Sequence, residues 1–104
     1  AMSERLMDDK ELIQVITDAY LSDMPVQIEQ LKTFMQDGDV EQAAAQAHKI
    51  KGASANVGGM ALSAVASLME ESGKTNDMVT ISQNFIMLEE QFTQLKATME
   101  EALK

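Results

Sequence analysis

Apolar residues along the chain recur at steps of three and four, and no segment sustains the alternation of a half-buried strand. The pattern therefore predicts helices throughout. A first predicted helix runs from about Asp8 to Leu21, with Leu12, Ile16, Ala19 and Tyr20 on one face. Asp8 and Asp9 suit its N-terminus, where carboxylates meet the positive end of the helix dipole. Ser22-Asp23-Met24-Pro25 breaks the pattern, and Pro25 fits the first turn of a second helix. That helix carries Ile28, Leu31, Phe34 and Met35 and stops at Asp37-Gly38-Asp39. Asp39 caps a third, alanine-rich helix from about Val40 to Ala55. Gly58-Gly59 opens a fourth, with Leu62, Val65, Leu68 and Met69, and Asn76 or Asp77 caps a fifth. The fifth has the cleanest seam: Met78, Ile81, Phe85, Leu88, Phe92, Leu95, Met99 and Ala102.

Short connections favour antiparallel neighbours. The expected fold class is all-α: an antiparallel up-and-down four-helix bundle with an additional short N-terminal helix across one end. At 104 residues the chain fits a single domain, 1–104. Aromatics are scarce, so Leu, Ile, Val, Met and Ala must fill the core. The nine methionines read first as core filler, although such side chains also suit adaptable binding surfaces.

Composition removes several classes of function. Without cysteine there is no disulfide, thiolate metal site or thiol nucleophile. No apolar run is long enough to span a bilayer, and no leader resembles a signal peptide, so the cytoplasm is the expected compartment. A net charge of −9 repels nucleic-acid backbones.

One histidine remains, on the third predicted helix. Ala43, Ala47, Ile50 and Ser54 form the core face there, flanked by Val40 and Val57. His48 lies well away from that face and should point outward. Its own neighbours are small: Ala44 and Ala45 one turn back, Lys51 and Gly52 one turn on, and Ala55 two turns on. Glycine within a helix costs about 1 kcal/mol relative to alanine. Gly52 therefore reads as cleared space for a phosphate-sized group or a docking helix, or more blandly as the start of the helix's end. Lys51 offers a point charge to an anion on the ring, or is an ordinary surface lysine. Lys49 lies about 100° round the helix from His48 and takes a minor part. A neutral imidazole nitrogen is a competent nucleophile near neutral pH.

The segment Ala47-His48-Lys49-Ile50-Lys51-Gly52-Ala53-Ser54-Ala55-Asn56-Val57-Gly58 resembles the signature of histidine-containing phosphotransfer (HPt) domains. That signature has a lysine three, a glycine four, a small or hydroxyl residue six and a glycine ten positions after the histidine. Lys51, Gly52, Ser54 and Gly58 supply them; Ala53 stands where serine is common. The order of predicted helices is similar to the family's layout over nearly the whole chain. The resemblance implies that His48 accepts a phosphoryl group from a receiver-domain aspartate and passes it to another. Lys51 would sit near the phosphoryl oxygens, Gly52 would leave the ring open, and Ser54 would pack or bond beneath the helix. Response-regulator receivers would dock around His48 on Ala44, Ala45, Lys49 and Ala55, with a hybrid sensor kinase upstream. The chain would be a monomeric carrier rather than an enzyme. It would bind no cofactor itself, with Mg2+ held by the partner receiver, and engage neither nucleic acid nor membrane.

Two rivals remain open at this level. A helical interaction domain without phosphoryl chemistry would make His48 incidental. A metal enzyme needs three or four ligands, and neither a second histidine nor a carboxylate one turn from His48 exists. Glu70-Glu71 and Glu89-Glu90 read as solvated helix faces, and Gly58-Gly59 is too weak to be a phosphate loop.

Overall fold

The computed structural model describes residues 2–102, with side chains from Glu11 onward. Four helices account for almost all of it: α1 (Met2–Gln36), α2 (Val40–Asn56), α3 (Met60–Lys74) and α4 (Met78–Ala102). Each helix packs on the next, and α1 also touches α4.

Three three-residue connections share one construction. The second residue after each helix end adopts a left-handed conformation, Gly38 (φ 73°), Gly58 (φ 78°) or Asn76 (φ 57°). The next backbone N–H then reaches back to the helix's last turn: Asp39 to the Phe34 carbonyl, Gly59 to Ser54 and Asp77 to Ser72. This satisfies carbonyls that a helix end otherwise orphans. Two of the returning residues immediately cap the next helix. Asp39 accepts from the Gln42 N–H at 3.1 Å, and Asp77 from the Thr80 N–H at 3.1 Å and its hydroxyl at 2.6 Å. Those Thr80 bonds hold the Asp77 carboxyl below its ordinary range. Asp77, not Asn76, is thus the cap.

The expected division of residues 8–36 into two helices does not occur. α1 runs unbroken for 35 residues with Pro25 inside it. Proline removes one intrahelical N–H and crowds the carbonyl of Leu21, costing about 3 kcal/mol. Buried positions nevertheless keep helical phase across it: Thr17, Tyr20, Met24, Ile28 and Leu31. Full burial of a side chain such as Met24, Ile28 or Leu31 is worth about 1.5–3 kcal/mol each. A single uninterrupted helix holds all of them on one face. The short helix across one end is therefore absent, and the expected start at Asp8 falls inside α1. The Asp8 and Asp9 side chains lie outside the described residues.

The core joins that stripe to Ala43, Ala47 and Ile50 of α2, Leu62, Val65, Ala66 and Met69 of α3, and Ile81, Phe85 and Leu88 of α4. Phe92, Leu95 and Met99 extend the α4 seam as half-buried residues, and Ala102 is exposed. Leu68, expected inside, is exposed, as are Leu12, Ile16 and Ala19. Tyr20 packs against Phe92 at 6.3 Å between ring centres. Its hydroxyl shares a 2.8 Å buried hydrogen bond with Ser54. Burial pushes the Tyr20 phenol up, and the Ser54 bond opposes this in part. Gln46, buried though polar, donates its amide to the backbone and side-chain oxygens of Gln27, tying α2 to α1.

Candidate functional site

α2 turns its alanine and isoleucine face inward, so the residues about half a turn away must face solvent. His48 is among them, with 64% of its side chain exposed. Ala45, Lys49, Gly52 and Ala55 are exposed with it. A Cβ added at Gly52 would meet nothing within 4 Å. Glycine there fills no packing need of the fold, and the space next to the ring is open.

One residue of the site was not foreseen. Glu70, on α3, bridges the histidine and the lysine. Its Oε2 lies 2.7 Å from His48 Nδ1, and its Oε1 accepts from Lys51 Nζ at 2.6 Å. Glu71 is the solvated residue of that pair, in contact with Lys74 at 3.4 Å, whereas three-quarters of the Glu70 side chain is covered. The lysine beside the ring is accordingly not a lone ammonium; it is half-buried and paired.

This bridge has a chemical consequence. The Lys51 hydrogen bond, helped by the His48 bond and both charges, holds the Glu70 carboxyl below its ordinary range against a smaller effect of burial. At neutral pH it is an ionised carboxylate, which accepts hydrogen bonds and donates none. The contact with His48 then requires the proton on Nδ1. In the neutral ring that leaves the Nε2 lone pair free. A carboxylate orienting one ring nitrogen while the other stays available is a recurrent way to fix a histidine's tautomer.

The reach of Glu70 depends on how closely α3 approaches α2. A Cβ added at Gly73, one turn beyond Glu70, would collide with the Ala44 Cβ. The pair Ala44 and Gly73 thus lets two backbones approach where larger residues would hold them apart. Ala44, expected as a free docking residue, is half-buried in this contact. Further along, the Ser63 hydroxyl donates to the Lys51 carbonyl at 3.1 Å. Ser54, four residues from Ile50 on the inner face, is fully buried beneath the helix and bonded to Tyr20.

Two open depressions flank the outer face of α2. One, of about 740 Å³, is lined by His48, Ala45, Lys49, Glu70 and Gly73 among others. The other, of about 790 Å³, lies between α1 and α2 and is lined by Val26, Phe34, Ala45 and Lys49 among others. Among the described residues no group of three or more His, Asp or Glu side chains is placed to hold a metal ion. No helix there is long and apolar enough to cross a membrane.

A sequence model of the Hpt domain matches residues 15–103. No curated protein and no solved structure matches the chain.

Proposed function

Since the chain belongs to the Hpt domain family, whose members carry phosphoryl groups on histidine in phosphorelays, we propose that His48 is the acceptor. It takes the group from a receiver-domain aspartate and passes it to another receiver aspartate. The observation that carries this reading is the exposed ring bonded through Nδ1 to an ionised carboxylate, next to an open position at Gly52.

In the forward step the Nε2 lone pair forms the N–P bond as the aspartyl O–P bond breaks. The donor aspartate leaves as a free carboxylate, and the Nδ1 proton stays on the ring. The ring gains positive charge as the bond forms, and Glu70 faces that charge from the Nδ1 side. Lys51 faces the incoming negative charge of the phosphoryl oxygens, which an ammonium stabilises as a point charge. Phosphoryl transfer demands charge neutralisation and in-line positioning. In this reading the chain holds no metal itself, and Mg2+ is held by the partner receiver. The chain is a carrier, and its partners supply most of the catalysis.

Receiver docking falls on Ala45, Lys49 and Ala55 around the ring, with Ala44 serving mainly to seat α3. Ser54 holds the helix from beneath through Tyr20. An antiparallel up-and-down bundle underlies this arrangement. Support comes from contacts that climb α2 while descending α3: Ala44 with Gly73, His48 with Glu70, Lys51 with Ser63. A hybrid sensor kinase upstream, a monomeric carrier and a cytoplasmic setting complete the proposal.

The test is label transfer from phosphorylated receivers of the source organism. Acid-labile, base-stable label on the wild type and none on His48→Gln is the expected result. Label retained by His48→Gln would remove His48 from the role. No label from any receiver would favour the plain interaction domain.

A further inference from the structure

We propose that the outer face of α1 is a second docking surface, separate from the His48 face, for an amphipathic helix with basic flanks on a partner protein. The argument starts from the phase of α1. Its buried stripe passes through Thr17, Tyr20, Met24, Ile28 and Leu31. Roughly a quarter to a half of a turn from the centre of that stripe, by the ~100° advance per residue, runs another apolar line: Leu12, Val15, Ile16, Ala19 and Val26. All five are exposed; Leu12, Val15 and Val26 are each more than half so.

Leu12, Ala19 and Val26 are spaced by seven, with Val15 and Ile16 between the first two. That is one half of a helix–helix seam, and among the described residues nothing packs on it as a second half. Scattered exposed apolar residues need no explanation, but five gathered on one helix face do.

Charge selects the occupant. From Glu11 to Leu31 the chain has four carboxylates, Glu11, Asp18, Asp23 and Glu29, and no lysine or arginine. Glu11, Asp18 and Glu29 line one margin of the stripe, and Asp23 lies within it. Among the described residues none of the four is in an ion pair. An antiparallel second copy would set the acidic margin against itself, and any pairing of two copies would bring Asp23 into its own seam. Like charges at such positions oppose association. A lipid surface rich in anionic headgroups is repelled for the same reason. A helix with an apolar seam and Lys or Arg on its flanks satisfies both the line and the charge.

The N-terminal part of this surface, Leu12 to Ala19, stands apart from the acceptor, whereas Val26 borders the depression that Ala45 and Lys49 also line. Gln46 bonds to Gln27, so the neighbourhood of His48 is level with the middle of α1. Leu12 lies fifteen residues further back, about 22 Å at the helical rise per residue. A partner on Leu12–Ala19 can therefore stay in place while a receiver occupies the ring.

The test uses the full chain and two synthetic helical peptides about three heptads long. Both carry the same leucine seam; one has lysine flanks and the other glutamate flanks. Binding is followed by fluorescence anisotropy at low and high salt, and its location by amide chemical shifts. The lysine peptide should bind at least about tenfold more tightly than the glutamate peptide. Shifts should cluster between Leu12 and Val26. Leu12→Gln with Ile16→Gln should abolish binding with helicity unchanged, and Asp18→Lys with Asp23→Lys should reverse the preference. Equal binding of the two peptides, or shifts centred on Ala45 and Lys49, would overturn the proposal. So would self-association by sedimentation that Leu12→Gln and Ile16→Gln remove, or adsorption to phosphatidylcholine vesicles.

Discussion

Replacing Glu70 with glutamine keeps the side chain's shape, removes its charge and leaves one accepting oxygen in place of two. In the wild type, an ionised carboxylate accepts from His48 Nδ1 at 2.7 Å and from Lys51 at 2.6 Å. Hydrogen bonds to a charged group contribute about 1.5–3 kcal/mol, against about 0.5–1.5 kcal/mol for neutral ones, a difference near 1 kcal/mol. The His48 ring is 64% exposed, so water screens part of this. An effective loss of about 0.5–1 kcal/mol at the step where the ring becomes positive slows phosphoryl acceptance roughly two- to fivefold. Glu70→Ala, which removes the acceptor altogether, should slow it at least as much and let the ring proton distribute between both nitrogens. Rapid-quench transfer from a phosphorylated receiver measures the rate, and ¹⁵N spectra of the imidazole report which nitrogen is protonated. The Glu70→Gln defect should shrink in high salt. Wild-type rates in both variants, or an Nδ1 proton that persists without Glu70, would refute the assignment of Glu70 to orienting the ring.

Gly52→Ala should raise stability by about 0.5–1 kcal/mol, because the added methyl meets nothing and helix propensity improves. Gly52→Gln should also melt at or above the wild-type temperature yet transfer poorly; equal transfer by both variants would mean the open space is unused. Lys51→Met removes the largest cause of Glu70's lowered pKa, so the Glu70 midpoint by ¹³C titration should rise toward the ordinary carboxylate value. The stability that Glu70 contributes is present above that ordinary value and lost as pH falls through its lowered folded value, and this acid-side loss should shrink in Lys51→Met, which keeps the His48 bond. Tyr20→Phe breaks the buried bond to Ser54 and should cost about 1 kcal/mol in denaturant unfolding. The wild-type phenol is raised, so its contribution holds below about pH 10 and is lost as pH climbs through the folded value. Tyr20 is the chain's sole tyrosine, so phenolate absorbance reads this directly.

The parts of the fold that could be read from sequence are those where one helix has a single apolar face. α2 illustrates this: Ala43, Ala47, Ile50 and Ser54 are all buried, and His48 is exposed. α1 misled for a physical reason. Its local breaker, Pro25, argued for an end, while the burial of Met24, Ile28 and Leu31 rewards continuation, and only the tertiary contacts decide between them. Leu12 and Ile16 misled because an apolar line was assumed to face the core, and α1 has two such lines. Glu70 escaped because its role depends on a neighbouring helix. Yet a signal existed. His48 stands ten residues before Gly58 and Glu70 eleven after Gly59, so folding the hairpin about those glycines brings them level. Gly73 lies inside α3 and marks the close approach that lets Glu70 reach across.

His48, Lys51 and Glu70 all come from the α2–α3 hairpin, and neither α1 nor α4 contributes a side chain to the bridge. Reactive parts and outer scaffold are thereby separable in the course of change. Substitutions on the solvent faces of α1 and α4 can retune which proteins are recognised, or how long the fold survives heating, without disturbing the acceptor. An engineer could graft a new recognition face onto the outer helices and inherit the reactivity intact. Selection has the same freedom.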